Sequence, residues 1–209
     1  MQENTPGALR QRYRQRRREL TTQQQQQASR AILTQCLTQT EFIDAQYVAC
    51  YLAEDGELDP IEIIHYAWEQ GKHVCLPVLH PFARGHLLFV SYTPDSPMHA
   101  NRFNIPEPRL ECSLIVPLHK LDIIFAPLVA FDGHGNRLGM GGGFYDRTLA
   151  PLYRDHQPLT TTMVGLAHDC QQTDLLRVQP WDLPMHRIIT PSSIHIPEQS
   201  SARNTHGSK

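Results

Sequence analysis

The chain is short of lysine, of ordered cysteine patterns and of long apolar runs, and each shortage closes off a class of function. Of its 19 basic residues only Lys72, Lys120 and Lys209 are lysine, so arginine carries nearly all the positive charge. A phosphate-binding loop of the Gly-Lys-Ser/Thr type needs a lysine among glycines, and none stands there. The five cysteines (Cys36, Cys50, Cys75, Cys112, Cys170) contain no CxxC pair. Their odd number argues against a disulfide framework or a zinc knuckle. Twelve histidines form no HExxH motif and no close pair, and are expected to be surface or satisfied structural residues. No apolar run approaches the ~20 residues that cross a bilayer. The first twenty residues hold six arginines and no apolar core, unlike a secretory signal. The expectation is a soluble, cytoplasmic protein.

What is present is enough for one globular domain: 209 residues, 40% of them hydrophobic, with a net charge of −2. That charge is uneven. Residues 1–20 sum to +4 and the remainder to −6. Arginine offers a planar fork suited to phosphates and carboxylates, where lysine is a point charge.

Residues 8–38 predict one long helix rich in arginine and glutamine, with Leu9, Tyr13, Leu20, Ala28, Ile32 and Leu33 on its apolar face. Strands are expected over 47–52, 73–78, 86–92, 121–130, 160–167 and 187–190, the fourth being the most hydrophobic and therefore central. Asp59 and Pro60 predict a helix N-cap and first position, with the helix running through Glu69 and stopping at Gly71. The proline-rich stretch 93–117 predicts a long ordered loop, and 141–154 a glycine turn entering a helix. Residues 1–7 and 196–209 are expected to be disordered tails around a single domain over 8–195. The alternation predicts an α/β fold with a mostly parallel central sheet flanked by helices, and a long Arg-rich N-terminal helix. Ligands of such sheets sit beyond the carboxyl ends of the strands.

The chemistry concentrates in residues 131–147, FDGHGNRLGMGGGFYDR, where five glycines fall between Gly135 and Gly143. Backbone N–H groups there, with a helix N-terminus behind them, can cradle an anion. Arg137 and Arg147 bracket the loop and could neutralise phosphate oxygens, and Asp146 could hold an accompanying Mg²⁺. The plainer alternatives are a tight turn for the glycines, a surface ion pair for the arginines and a helix-turn carboxylate for Asp146.

The segment RLGMGGGFYDR resembles the signature of the 5-formyltetrahydrofolate cyclo-ligase (methenyltetrahydrofolate synthetase) family. YLAEDGELD at 51–59, FNIPEP at 103–108, APLVAFDGHGNRLG and PWDLPMHRIIT at 180–190 resemble further family segments in the same order. The resemblance implies an ATP- and Mg²⁺-dependent ligase that converts 5-formyltetrahydrofolate to 5,10-methenyltetrahydrofolate, ADP and phosphate. It implies that the formyl oxygen attacks the γ-phosphate of ATP and that N10 then captures the activated carbon. By the same resemblance, ATP would be held by Arg10, with Arg14 as its alternate, and by Arg137, Leu138, Gly139, Met140, Gly141, Gly142, Gly143, Phe144 and Tyr145. Arg137, Tyr145 and Arg147 would act in catalysis. Asp146 and Asp182 would hold Mg²⁺, and Leu52, Glu57 and Phe103 would bind the folate. The expected partners are these small molecules, with no nucleic acid or membrane, and the expected state is a monomer. The chain departs from the family pattern where Pro6 and Gly142 replace common lysines, which implies altered nucleotide affinity with activity retained.

Two other classes of function compete. The arginines at 10, 12, 14, 16, 17 and 18 could bind nucleic acid, yet they spread around the helix rather than forming one stripe. An isomerase or acyl-transferring enzyme could use the same sheet, with Glu57 as its carboxylate and no need for ATP.

Overall fold

The computed structural model describes residues 5–154 and 161–197. Helix α1 (Pro6–Arg18) opens where the Thr5 hydroxyl accepts the Ala8 N–H at 3.2 Å and proline supplies its fixed φ at the first turn. Thr5, Pro6 and Gly7, expected in a disordered tail, therefore start the first helix. Ile196 and Pro197, expected in the other tail, are likewise described, with Pro197 against Gly135; residues 1–4 and 198–209 lie outside the described residues.

The single helix expected over 8–38 is two helices. Thr21 starts α2 (Thr22–Cys36) with a capping box: its hydroxyl accepts the Gln24 N–H at 3.2 Å, and the Gln24 side chain accepts the Thr21 N–H at 2.8 Å. That reciprocal pair satisfies two orphan donors and ends α1 a turn earlier. After α3 (Thr40–Asp44) come β1 (Tyr47–Ala49), α4 (Ile61–Glu69), β2 (His73–Leu79) and β3 (Leu87–Ser91). Asp59 does hold the start of α4, accepting the Ile61 N–H at 3.0 Å, although Pro60 sits outside the helix as its N-cap residue. The chain continues through β4 (Met98–Ala100), β5 (Pro106–Pro108), β6 (Ile115–Val116), β7 (Ile123–Pro127), β8 (Ala130–Phe131) and β9 (Arg137–Leu138). Helix α5 (Phe144–Arg154) leads to β10 (Thr162–Leu166), β11 (Arg187–Ile189) and β12 (Ile194–His195).

Eight strands form the main sheet in the order β12-β11-β10-β7-β1-β2-β3-β6. The inner five, β11-β10-β7-β1-β2, are parallel; β3, β6 and β12 pair antiparallel at the edges. The alternation of side chains along the parallel strands makes two cores. Val48, Val74, Ile123, Phe125 and Val164 face α2, α3 and α4; Ala49, Cys75, Ile124, Ala126 and Met163 face α5 through Leu149. Fully buried phenylalanines such as Phe42 and Phe125 each contribute roughly 2 kcal/mol by leaving water. All five cysteines are free, and no described helix is long and apolar enough to cross a membrane.

Two expected elements are subdivided. The strand expected over 121–130 ends at Pro127, which has no N–H for a continuing ladder, and the chain re-pairs as the ribbon β8–β9. The loop expected over 93–117 contains the ribbon β4–β5 and the edge strand β6. The Asn101 carbonyl-amide oxygen accepts the Phe103 and Ile105 N–H groups at 2.9 and 3.2 Å, and Asn104 turns the chain at φ +60. Buried Glu107 ties this ribbon to the sheet, accepting from Leu79 N–H at 3.3 Å and the Asn101 amide at 2.9 Å.

Candidate active site

Chain order reverses between β1 and β7, and at such a point a crevice opens beyond the carboxyl ends of the strands. Helix α1 lies over it. Arg17, with no exposed surface, donates from Nε to the Asp55 carbonyl at 2.9 Å, from Nη2 to the Asp55 carboxylate at 2.9 Å and from Nη1 to the Leu128 carbonyl at 3.2 Å. It therefore joins the loop after β1 to the segment after β7. Arg14 Nε (2.7 Å) and Arg18 meet the same Asp55 carboxylate. Partial burial opposes ionisation of Asp55, but hydrogen bonds from Arg14, Arg18 and Arg17 outweigh it and hold the carboxyl at about 2. Asp55 and Gly56 both take positive φ, +55 and +73, so the loop doubles back toward α1. A Cβ on Gly56 would lie 3.1 Å from the Arg17 carbonyl, closer than a side chain accepts without movement.

Glu57 follows directly. Burial pushes its carboxyl up to about 7, against the opposing pull of Arg17, whose Nη2 stands 3.6 Å from Oε1, and of the Glu54 N–H at 3.2 Å. Tyr145, at the start of α5, is close enough to feel its charge: burial and then Glu57 raise the tyrosine hydroxyl above its usual range. His168, just beyond β10, is buried beside Arg17 and the backbone of Gly56 and Glu57. Burial and then Arg17 lower its ring to about 4, and among the described residues its Nε2 has no hydrogen-bond partner.

The glycine loop forms the other side. Gly141 and Gly143 have φ of +95 and +62, conformations that side chains rarely adopt. Arg10 Nε donates to the Gly139 carbonyl at 2.8 Å, and Arg147 donates to Gly142 O and, at 3.0 Å, to Gly85 O in the β2–β3 turn. Gly135 stands apart: it belongs to the β8–β9 turn, where Pro197 packs on it, so it is no part of the anion cradle. That turn is held by Asp132, fully buried, which accepts from the N–H groups of His134, Asn136 and Leu176 and from the Asn136 side chain.

Arg137 Nη2 meets Asp146 Oδ1 at 2.6 Å in a mostly buried pair, and the Leu183 N–H also donates to that oxygen at 3.2 Å. The residue before Leu183, Asp182, has its Oδ2 accepting the Gln179 N–H at 2.9 Å. Among the described residues one oxygen of each carboxylate has no hydrogen-bond partner, and no group of three His, Cys, Asp or Glu gathers for a metal. A free carboxylate oxygen on each would be the kind of ligand Mg²⁺ takes alongside waters and phosphate oxygens. On the opposite rim Phe103, 53% exposed, meets Phe144 edge to face at 6.1 Å, so the proline-rich ribbon closes over the glycine loop.

The fold thus brings together Arg10, Arg137, the loop 139–143, Phe144, Tyr145, Asp146, Arg147, Asp182, Glu57 and Phe103. Leu52 lies at the edge of the α4-side core, partly exposed. Arg14 does not join the glycine loop; it is turned to Asp55. Three residues escaped the sequence reading: Arg17, Asp55 and His168. The Asp-Gly pair at 55–56 was a turn signal, but nothing separates Arg17 from five neighbouring arginines or His168 from eleven other histidines in composition.

Solved structures show the same fold. A methenyltetrahydrofolate synthetase from Aquifex aeolicus superposes with a TM-score of 0.77 at 24% identity, covering 98% of this chain and 96% of that one. One from Mycoplasma pneumoniae gives 0.69 at 21% identity, covering 89% and 98%. In sequence, the 5-formyltetrahydrofolate cyclo-ligase of Escherichia coli K12 is 48% identical over 87% of this chain and 97% of its own length. That of Haemophilus influenzae is 46% identical over 87% and 95%. Residues 2–191 match the profile of the 5-formyltetrahydrofolate cyclo-ligase family, and with this agreement along nearly its whole described length the chain belongs to that family.

Proposed function

We propose that the crevice under α1 carries out the family's reaction: ATP-dependent conversion of 5-formyltetrahydrofolate to 5,10-methenyltetrahydrofolate, with the glycine loop as nucleotide site and the Glu57 side as folate site. What supports the division is one juxtaposition. Tyr145 follows the arginine-braced glycine loop and lies close enough to Glu57 for its hydroxyl to feel that charge, which ties the two halves together.

In this reading the formyl oxygen attacks the γ-phosphorus of ATP and ADP leaves. N10 then attacks the activated carbon and loses its proton, and phosphate departs as the ring closes. The substrate supplies its own nucleophile, so the protein's work is positioning and charge neutralisation. Arg137 and Arg147, together with Arg10, neutralise phosphate oxygens, and the loop N–H groups orient them. Tyr145 stays protonated and donates to an oxygen at the junction. Glu57 accepts from the amino-pyrimidine edge of the pterin, Leu52 packs on the ring and Phe103 covers it. Asp146 and Asp182 would hold Mg²⁺, which supplies charge stabilisation of the transferring phosphoryl group. The enzyme would work as a cytoplasmic monomer. The test is near-ultraviolet absorbance of the methenyl product from 5-formyltetrahydrofolate, with ATP and Mg²⁺ added and withheld singly. Product only when both are present supports the whole reading. Product without Mg²⁺ removes the metal, and no product with ATP still bound leaves the loop serving another substrate.

A further inference from the structure

Behind Glu57 lies a buried charge cluster that touches neither substrate in the reading above. A carboxyl that accepts N–H groups from a heterocycle must be ionised, yet the side chain of Glu57 is only 12% exposed, and little water reaches it. The groups facing it are Arg17 from α1, Tyr145 from α5, His168 from beyond β10, and Tyr51, Glu54 and Asp55 from its own segment. Of these, Arg17 alone carries permanent positive charge, because an arginine keeps its proton in proteins. Its position is fixed independently of Glu57: two of its three hydrogen bonds go to backbone carbonyls, of Asp55 and Leu128.

We propose that Arg17 and Asp55 are positioning residues for folate recognition: Arg17, 3.6 Å from Glu57, holds it as a carboxylate facing the cleft, and Asp55 sets how much of the arginine's charge Glu57 feels. This rests on Glu57 as the pterin contact. The two residues act with opposite sign, since Arg17 favours the charged form of Glu57 and Asp55, a like charge, disfavours it. A purely structural role would give no such opposition.

The experiment titrates 5-formyltetrahydrofolate into the full chain without ATP, by calorimetry from pH 6 to pH 9, with MgATP affinity measured in parallel. In the unsubstituted protein folate affinity falls as pH drops through about 7. Arg17→Met moves that midpoint up by about a unit, an affinity loss at pH 7 of roughly fivefold, recovered at higher pH. Asp55→Asn moves the midpoint down. Asparagine tolerates the left-handed backbone there, and its amide oxygen can still accept from Arg17. MgATP affinity stays within about twofold for both, a difference under 1 kcal/mol. Midpoints that shift in one direction, or not at all, overturn the proposal. If Arg17→Met does not fold, Asp55→Asn decides alone: a lowered midpoint supports it, an unmoved or raised one overturns it. Glu57→Gln separates the two layers. It abolishes the midpoint and weakens folate binding above pH 7, where the native carboxyl is ionised; if it binds folate normally at pH 8 to 9, the pterin contact itself is wrong.

Discussion

Helix α1 braces both sides of the cleft, but in different ways. On the glycine loop, Arg10 and the exposed Arg147 rest on the carbonyls of Gly139, Gly142 and Gly85. On the Glu57 side, Arg17 is wholly buried and Asp55 is held by three arginines. Contacts of a half-buried or exposed arginine to carbonyls, as for Arg10 and Arg147, are worth less than a buried pair and exchange for a better acceptor such as a phosphate. A buried pair costs about 3–5 kcal/mol to break from one side and therefore holds its shape. In the proposed division, one side would be rearranged by a highly charged nucleotide; the other would be set in advance for the planar, neutral amino-pyrimidine edge of the pterin.

The sharpest way to break this contrast is Asp146→Ala, which removes both the Arg137 partner and one expected metal ligand. Turnover should fall by about 10²–10³-fold, while melting shows a loss of only about 1–3 kcal/mol from the unpaired Arg137. Normal kcat would take Asp146 out of the mechanism. Next in size is Gly143→Ala. The new Cβ would stand 2.8 Å from Arg147 Nη1 at φ +62, so MgATP should bind about tenfold more weakly. Folate binding should be unchanged, and equal loss of both ligands would show that the two sides are one unit.

The smallest effect is on stability. The Glu57 carboxyl titrates at about 7 in the fold against 4.5 when unfolded, so the folded state holds the extra proton between those values. Stability from this group therefore declines as pH rises from 4.5 to 7. His168 does the reverse: it is neutral in the fold down to about 4 against 6.5 unfolded, and its contribution is lost as pH falls through that window. The two slopes oppose each other. Glu57→Gln should raise stability at pH 8 by on the order of 1 kcal/mol and expose the His168 slope on the acid side. Melting curves at pH 5 and pH 8 check this, and an equal change at both would deny the buried carboxyl.

The sheet and the glycine loop were legible because their signals are local. The apolar runs that became β2, β3 and β10 needed no knowledge of distant residues, and neither did the glycines before α5. The division of α1 from α2 was also local, written in Thr21 and Gln24, but the continuous helix-forming composition hid it. The brace behind Glu57 was not legible. Whether an arginine is buried depends on which carbonyl waits for it, and for Arg17 one of those belongs to Leu128. The left-handed turn at Asp55 likewise has meaning only once α1 lies above it.

That separation along the chain governs how the molecule is made. The arginines of α1 emerge early, while their acceptors follow 38, 111 and 129 positions later, at Asp55, Leu128 and Gly139. Contacts of such span close slowly, after local structure has formed. Parts of a growing chain that fold early wait for later segments to dock. The last acceptors on each side, at Leu128 and Gly139, therefore arrive well after α1, and a chain halted before residue 128 would hold Arg17 by Asp55 alone.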